Sequence, residues 1–131
     1  MAMATTNGEV KKILIVEDDG ELCELLAATL RERRYQPLVL RRGEKVLKTV
    51  KDEKPRAVIL DLALPDRDGR QVLKELKDDW DAKKVPVIIL SGYTSRVDYQ
   101  ARSQVEAVIT KPFDLQDLLA KVEAAANKKQ D

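Results

Sequence analysis

Asp61 ends the apolar run Ala57-Val58-Ile59-Leu60, inside the segment AVILDLALPDRDG at residues 57–69. A carboxylate where a buried run meets its loop is expensive without a task, because burial disfavours its charged form. Other polar groups occupy the same kind of position. Glu17 and Asp18 follow Ile13-Leu14-Ile15-Val16, Ser91 and Gly92 follow Val87-Ile88-Ile89-Leu90, and Lys111-Pro112 follows a run that ends at Ile109. If these run ends converge, three carboxylates, a hydroxyl and a lysine meet. Three adjacent carboxylates repel, and one takes a proton unless a cation joins them. Oxygen ligands without His or Cys suit a hard ion, and Mg²⁺ uses few carboxylates and keeps several waters. Such an ion can hold a phosphoryl group beside an acceptor oxygen. A carboxylate can itself be the nucleophile, and a lysine supplies a compact cation for the added charge. Asp61 is therefore expected to be a phosphoryl acceptor.

The elements that must position these groups follow from apolar spacing. The first run is a strand. Leu22, Leu25, Leu26 and Leu30 then repeat at helical spacing, with Asp18 or Asp19 as N-cap. Pro37–Leu40 reads as a weaker strand that ends in Arg41-Arg42-Gly43, a triplet left without a role. A short helix from near Gly43 carries Val46, Leu47 and Val50 and breaks at Lys54-Pro55. Ala57–Leu60 is the third strand, and Val72, Leu73, Leu76 and Trp80 mark the next helix, with Trp80 expected to shield its end. Val87–Leu90 is the fourth strand. The stretch from Ser95 to Gln104 is helical but has a poor apolar stripe, and Val105–Ile109 is the fifth strand. Asp114 starts a last helix with a firm face of Leu115, Leu118, Leu119 and Val122. Strands alternating with helices imply βαβ units and a parallel sheet, and runs apolar at every residue imply cover on both faces. The expected fold is an open, doubly wound α/β sheet, whose ligands bind beyond the carboxyl ends of the strands.

Bulk properties narrow the function classes. The chain has 131 residues, one tryptophan, one cysteine and no histidine. That length suits one domain, and the absence of histidine excludes His catalysis and His metal sites. A net charge of +1 and 4% aromatics argue against direct nucleic-acid binding. No apolar run approaches the ~20 residues of a membrane span. The single cysteine, Cys23, forms no internal disulfide and reads as an inert thiol, consistent with a cytoplasmic location. Residues 1–10 and 128–131 are expected to be tails around a domain at 11–127.

Four stretches, ILIVEDD, AVILDLALPDRDG, PVIILSGYT and ITKPF, occur in an order that resembles the receiver domain of bacterial two-component response regulators. The resemblance covers roughly residues 11–127. It implies a flavodoxin-like fold with five helices and a five-stranded parallel sheet in the order 2-1-3-4-5. It implies that Asp61 is phosphorylated by a histidine kinase or phosphotransfer protein. Asp18 is then a direct Mg²⁺ ligand, with Mn²⁺ a substitute; Glu17 acts mostly through water, and the Ala63 backbone carbonyl is a third protein ligand. Ser91 matches the switch hydroxyl, Gly92 the small residue that leaves the acyl phosphate accessible, and Lys111 the family's lysine, with Lys111-Pro112 cis. Pro65 and Gly69 match the loop after the third strand. The output is a downstream protein on the face formed by the fourth helix, fifth strand and fifth helix, or a homodimer.

The chain also departs from that pattern. Val108 stands where the family usually has Tyr or Phe, so the aromatic half of the switch is missing. The segment from Ser91 to Lys111 is shorter than in chemotaxis-type members and lacks the Gly-Ala that usually precedes the fifth strand, which predicts a short or displaced fourth helix. Ala63 and Tyr93 stand at the two variable positions flanking the acceptor, which the resemblance implies tune phosphoryl loss. If Tyr93 shields Asp61 from water, Tyr93→Ala should speed dephosphorylation, and an unchanged rate refutes that role. An aspartyl-phosphate phosphatase would need an acid where Ala63 stands. A flavodoxin relative would need a Ser/Thr/Gly phosphate loop after the first strand. A phosphorylation-independent scaffold of the same shape stays open.

Overall fold

A computed structural model describes residues 10–92 and 97–128. Five strands, β1 (Lys12–Val16), β2 (Gln36–Leu40), β3 (Ala57–Leu60), β4 (Val87–Ser91) and β5 (Ala107–Thr110), pair in parallel in the order β2-β1-β3-β4-β5. Between and after them run α1 (Gly20–Glu32), α2 (Val46–Glu53), α3 (Gly69–Asp78), α4 (Tyr99–Ser103) and α5 (Leu115–Ala126), with a one-turn 3-10 helix at Ala82–Lys84. This is the expected flavodoxin-like fold, with its order 2-1-3-4-5 and five helices.

The central strands are apolar throughout because alternate residues serve opposite faces. Ile13, Ile15, Ile59, Ile88 and Leu90 pack with Leu26 and Leu30 of α1 and Leu118 and Val122 of α5. Leu14, Val16, Val58, Leu60 and Ile89 pack with Val46 and Val50 of α2 and Val72, Leu73 and Leu76 of α3. Fully burying each such side chain is worth about 1.5–3 kcal/mol. Both layers therefore lock β1, β3 and β4, whose ends carry the candidate site.

Capping sets where the helices begin. Asp19, not Asp18, caps α1, accepting from the amides of Glu21 and Leu22. Asp68 caps α3 through the Arg70 amide, and Asp114 caps α5 through those of Gln116 and Asp117.

Several expectations need correction. Leu25 is 48% exposed, because the buried stripe of α1 is Cys23, Leu26, Ala27 and Leu30. Trp80 shields nothing. It lies beyond the end of α3, 71% exposed, with the Lys83 ammonium 4.0 Å from its ring centroid. Asp79 stops α3 and caps the following turn by accepting from the Asp81 and Ala82 amides, which carries Trp80 outward. Helix α2 starts at Val46 rather than near Gly43, and β4 extends to include Ser91. Strand β5 begins at Ala107, since the Val105 amide is engaged by the Arg102 carbonyl in the turn after α4. Helix α4 has five residues and is short as expected, but the helical stretch expected from Ser95 to Gln104 is narrower, because Asp98 caps its start through the Ala101 amide and Gln104 is its C-cap. Residues 1–9 of the tail expected at 1–10, Tyr93, Ser95 and residues 129–131 of the tail expected at 128–131 lie outside the described residues. Among the described residues, no helix is long and apolar enough to cross a membrane.

Candidate functional site

The parallel ladder itself delivers the acids to one edge. Beyond β1, the Glu17 amide donates to the Leu40 carbonyl at 3.0 Å. Beyond β3, the Asp61 amide donates to the Val16 carbonyl at 3.0 Å. Glu17 and Asp61 are 1% and 4% exposed, while Asp18 is open to solvent. Carboxylate oxygens of Glu17, Asp18 and Asp61 lie within 4.8 Å of one another.

Lys111 reaches into this group from beyond β5. Its Nζ donates to Glu17 Oε1 at 2.7 Å and to Asp61 Oδ2 at 3.1 Å. Its backbone is fixed by its own amide, which donates to the Ser91 carbonyl at 2.9 Å. The Lys111–Pro112 peptide is cis. Ser91 is the last residue of β4, buried, and faces Thr110 across the ladder.

The second carboxylate oxygens are also engaged. Glu17 Oε2 accepts from the Asp19 amide at 3.1 Å, and Asp61 Oδ1 accepts from the Ala63 amide at 3.1 Å. Burial pushes the Glu17 carboxyl above its ordinary range, aided by the Asp61 charge and opposed by its bonds to Lys111 and the Asp19 amide. Burial alone would lower the Lys111 ammonium, but the bonds and charges of Glu17 and Asp61 outweigh it and hold it above its usual value.

The loop after Asp61 is pinned at both ends. Ala63 and Asp68 form an isolated antiparallel bridge, and the Gly69 amide donates to the Leu62 carbonyl at 2.8 Å. Gly69 is required by a close approach: a Cβ there would stand 2.5 Å from Leu62 Cα and 2.7 Å from the Asp61 carbonyl oxygen. Asp66 Oδ1 accepts from the Gly43 amide at 2.8 Å, which ties this loop to the one after β2. A cleft of ≈ 440 Å³ opens between Asp18 and the loop residues Leu62–Asp68. Pro65 and Ala63 are exposed on it.

Three carboxylates thus face one ammonium, with only oxygen donors in the cluster. That excess of negative charge and the hard donors fit a small divalent cation such as Mg²⁺. The structure brings together Glu17, Asp18, Asp61 and Lys111, with Ala63 and Ser91 on flanking elements. Val108 lies apart, half-buried in β5 opposite Ile89 and packed under the α2–α3 layer. Gly92 is exposed, and a Cβ there would meet nothing within 4 Å among the described residues.

Sequence reasoning gave no role to Arg41. Its guanidinium donates to the Asp18 carbonyl, from Nε at 2.9 Å and from Nη2 at 2.5 Å. Only its place at the carboxyl end of a strand could have flagged it, because its partner is a backbone atom.

A doubly wound sheet with an acidic cluster at its carboxyl edge has its polar site where open α/β sheets bind ligands. The response regulator receiver domain family matches residues 13–123, and the chain belongs to that family. It is 33% identical over 123 residues to the DNA-binding response regulator MtrA of Mycolicibacterium paratuberculosis, covering 92% of this chain and 53% of MtrA. The chain thus spans about half the length of the curated relatives it matches. The BeF3-activated N-terminal receiver domain of Klebsiella pneumoniae RstA superposes with a TM-score of 0.79 at 27% identity, covering 90% of this chain and all of that one. Thermotoga maritima TrrA, in complex with Mg(2+)-BeF, gives a TM-score of 0.79 at 28% identity, covering 88% and 99%.

Proposed function

We propose that this chain is a two-component signalling module that accepts a phosphoryl group on Asp61 from a histidine kinase or phosphotransfer protein in the cytoplasm. The observation that carries this reading is Lys111 lying between Glu17 and Asp61 at 2.7 and 3.1 Å. An Asp61 carboxylate oxygen attacks phosphorus, the new O–P bond forms, and the N–P bond of the phosphohistidine breaks with its electron pair leaving on nitrogen. The Ala63 amide bond holds the carboxylate plane still during the attack. Lys111 is already in place for the charge that arrives. Glu17, Asp18, Asp61 and the Ala63 carbonyl are the residues to hold Mg²⁺, or Mn²⁺, which when bound neutralises phosphoryl charge. The Ser91 hydroxyl then turns toward the modified side chain, and the bare Gly92 keeps the way open. The altered equilibrium is read by a partner on the face of α4, β5 and α5. The role is that of a switch, with no chemistry beyond its own phosphorylation and dephosphorylation.

The valine at 108, half-buried in β5, favours a second reading. Without an aromatic side chain to swing inward, the fold could serve as a phosphorylation-independent scaffold. Intact mass after incubation with Mg²⁺ and acetyl phosphate separates the two.

A stability test is independent of transfer. Binding only the native state stabilises it by mass action, about 2.7 kcal/mol at a hundred times Kd. Millimolar Mg²⁺ should raise the melting temperature. Asp61→Asn should raise it in metal-free buffer, since one repelling charge is gone. Two flat melting curves would show that the carboxylates do not strain the free protein.

A further inference from the structure

We propose that Arg41 is a positioning residue for this site, acting through the Asp18–Asp19 peptide on Glu17. The inference rests on the acceptor role of Asp61 given above. Arg41 is the first residue after β2, and the neighbouring Leu40 carbonyl receives the Glu17 amide, so its backbone is in register with the acidic pair. Its guanidinium grips the Asp18 carbonyl with two donors. The amide at the other end of the same peptide, that of Asp19, donates to Glu17 Oε2 at 3.1 Å.

One unbroken chain of hydrogen bonds follows. It runs from the Arg41 guanidinium through the Asp18–Asp19 peptide to Glu17, then through Lys111 to Asp61, and ends at the Ala63 amide. Only its first segment runs donor to acceptor throughout, from Arg41 through the Asp18–Asp19 peptide to Glu17, and there each bond polarises the next. The cation pulling on the Asp18 carbonyl strengthens the Asp19 N–H as a donor, which fixes the Glu17 carboxylate. The peptide held in this way also carries Asp18, whose own carboxylate belongs to the cluster. The residue that begins α1 is consistent with this arrangement. A Cβ at Gly20 would stand 3.3 Å from Arg41 Nη1, so glycine leaves the guanidinium its room.

Charge and position predict opposite results. As a nearby cation, Arg41 repels Mg²⁺, so its removal should tighten binding. As a positioning residue, its removal should weaken binding. Residues behind metal ligands typically change affinity by roughly 10–100-fold. In Arg41→Ala, the Asp19 amide should shift and exchange faster by NMR in metal-free buffer. The calorimetric Kd for Mg²⁺ should rise roughly tenfold. Arg41→Lys, which keeps the charge but not the fork, should recover only part of the affinity. Gly20→Ala should weaken Mg²⁺ binding in the wild-type background and lose most of that effect in Arg41→Ala. Unchanged or tighter Mg²⁺ binding in Arg41→Ala overturns the proposal, as does an unmoved Asp19 amide. The phosphoryl adduct on wild type is measured in parallel. Its absence would sink the acceptor reading, while the amide and Mg²⁺ readouts still judge Arg41 on their own.

Discussion

Asp61→Asn should take up no phosphoryl group from acetyl phosphate and Mg²⁺, whereas the wild-type chain should gain one adduct by intact mass. The loss is complete because the amide oxygen is a poor nucleophile and no second group stands ready. Glu17 is the more deeply buried of the two carboxylates on Lys111, at 1% exposed against 4%, and among the described residues no lysine is paired with Asp18. The fold survives, because asparagine has nearly the same shape and still accepts from the Ala63 amide. An adduct on both proteins would place the acceptor elsewhere. An adduct on neither, with Mg²⁺ binding intact, would mean a module that accepts only from its protein donor, and a panel of kinases would then decide. An adduct on neither, with no Mg²⁺ binding, would favour the scaffold.

Gly69→Ala should damage both stability and transfer. The added methyl meets backbone at 2.5, 2.7 and 2.9 Å, at Leu62 Cα, the Asp61 carbonyl and the Leu62 carbonyl. None of these atoms can turn away as a flexible side chain could. Either the first turn of α3 moves or the Asp61–Leu62 backbone does. Overpacking of this kind costs about 1–3 kcal/mol, occasionally more, and the upper end is expected here. For a chain of this size that is roughly 10 °C in melting temperature. The shift also moves the acceptor against Lys111, so adduct formation should slow by more than the stability loss explains. Thermal melts and a time course of intact mass check both. A variant that melts and reacts like wild type would show that the loop absorbs the methyl without moving Asp61.

How much of this was legible depended on burial. The runs that became β1, β3 and β4 are covered on both faces, so they read as unbroken apolar segments, and the polar residues after them, acids after β1 and β3 and Ser91 after Leu90, were visible as interruptions. Strands β2 and β5 lie at the sheet edges and are only partly buried. Their patterns are weaker, which is why β5 was placed two residues early. Leu25 misled because two helical registers were available in α1, and the small residues Cys23 and Ala27 took the buried one. Trp80 extended the α3 stripe by one turn on paper, but the Asp79 cap ends the helix before it. The placement of Glu17, Asp18, Asp61, Ser91 and Lys111 at one edge of the sheet was legible because polar residues directly after apolar runs mark strand ends. Arg41 was not, since a bond to a backbone carbonyl leaves no mark on the partner's residue type.

The exposed Trp80 has a practical consequence. It is the only indole in the chain, and it follows α3, whose start at Gly69 adjoins the acceptor loop and whose far end is at Asp78. Its emission is therefore governed by solvent and by Lys83, not by the carboxylates. Adding Mg²⁺ or a phosphoryl donor should leave the fluorescence steady while the site fills. A change in emission would then be a signal carried the length of α3, making the lone indole a built-in remote gauge of movement in that helix.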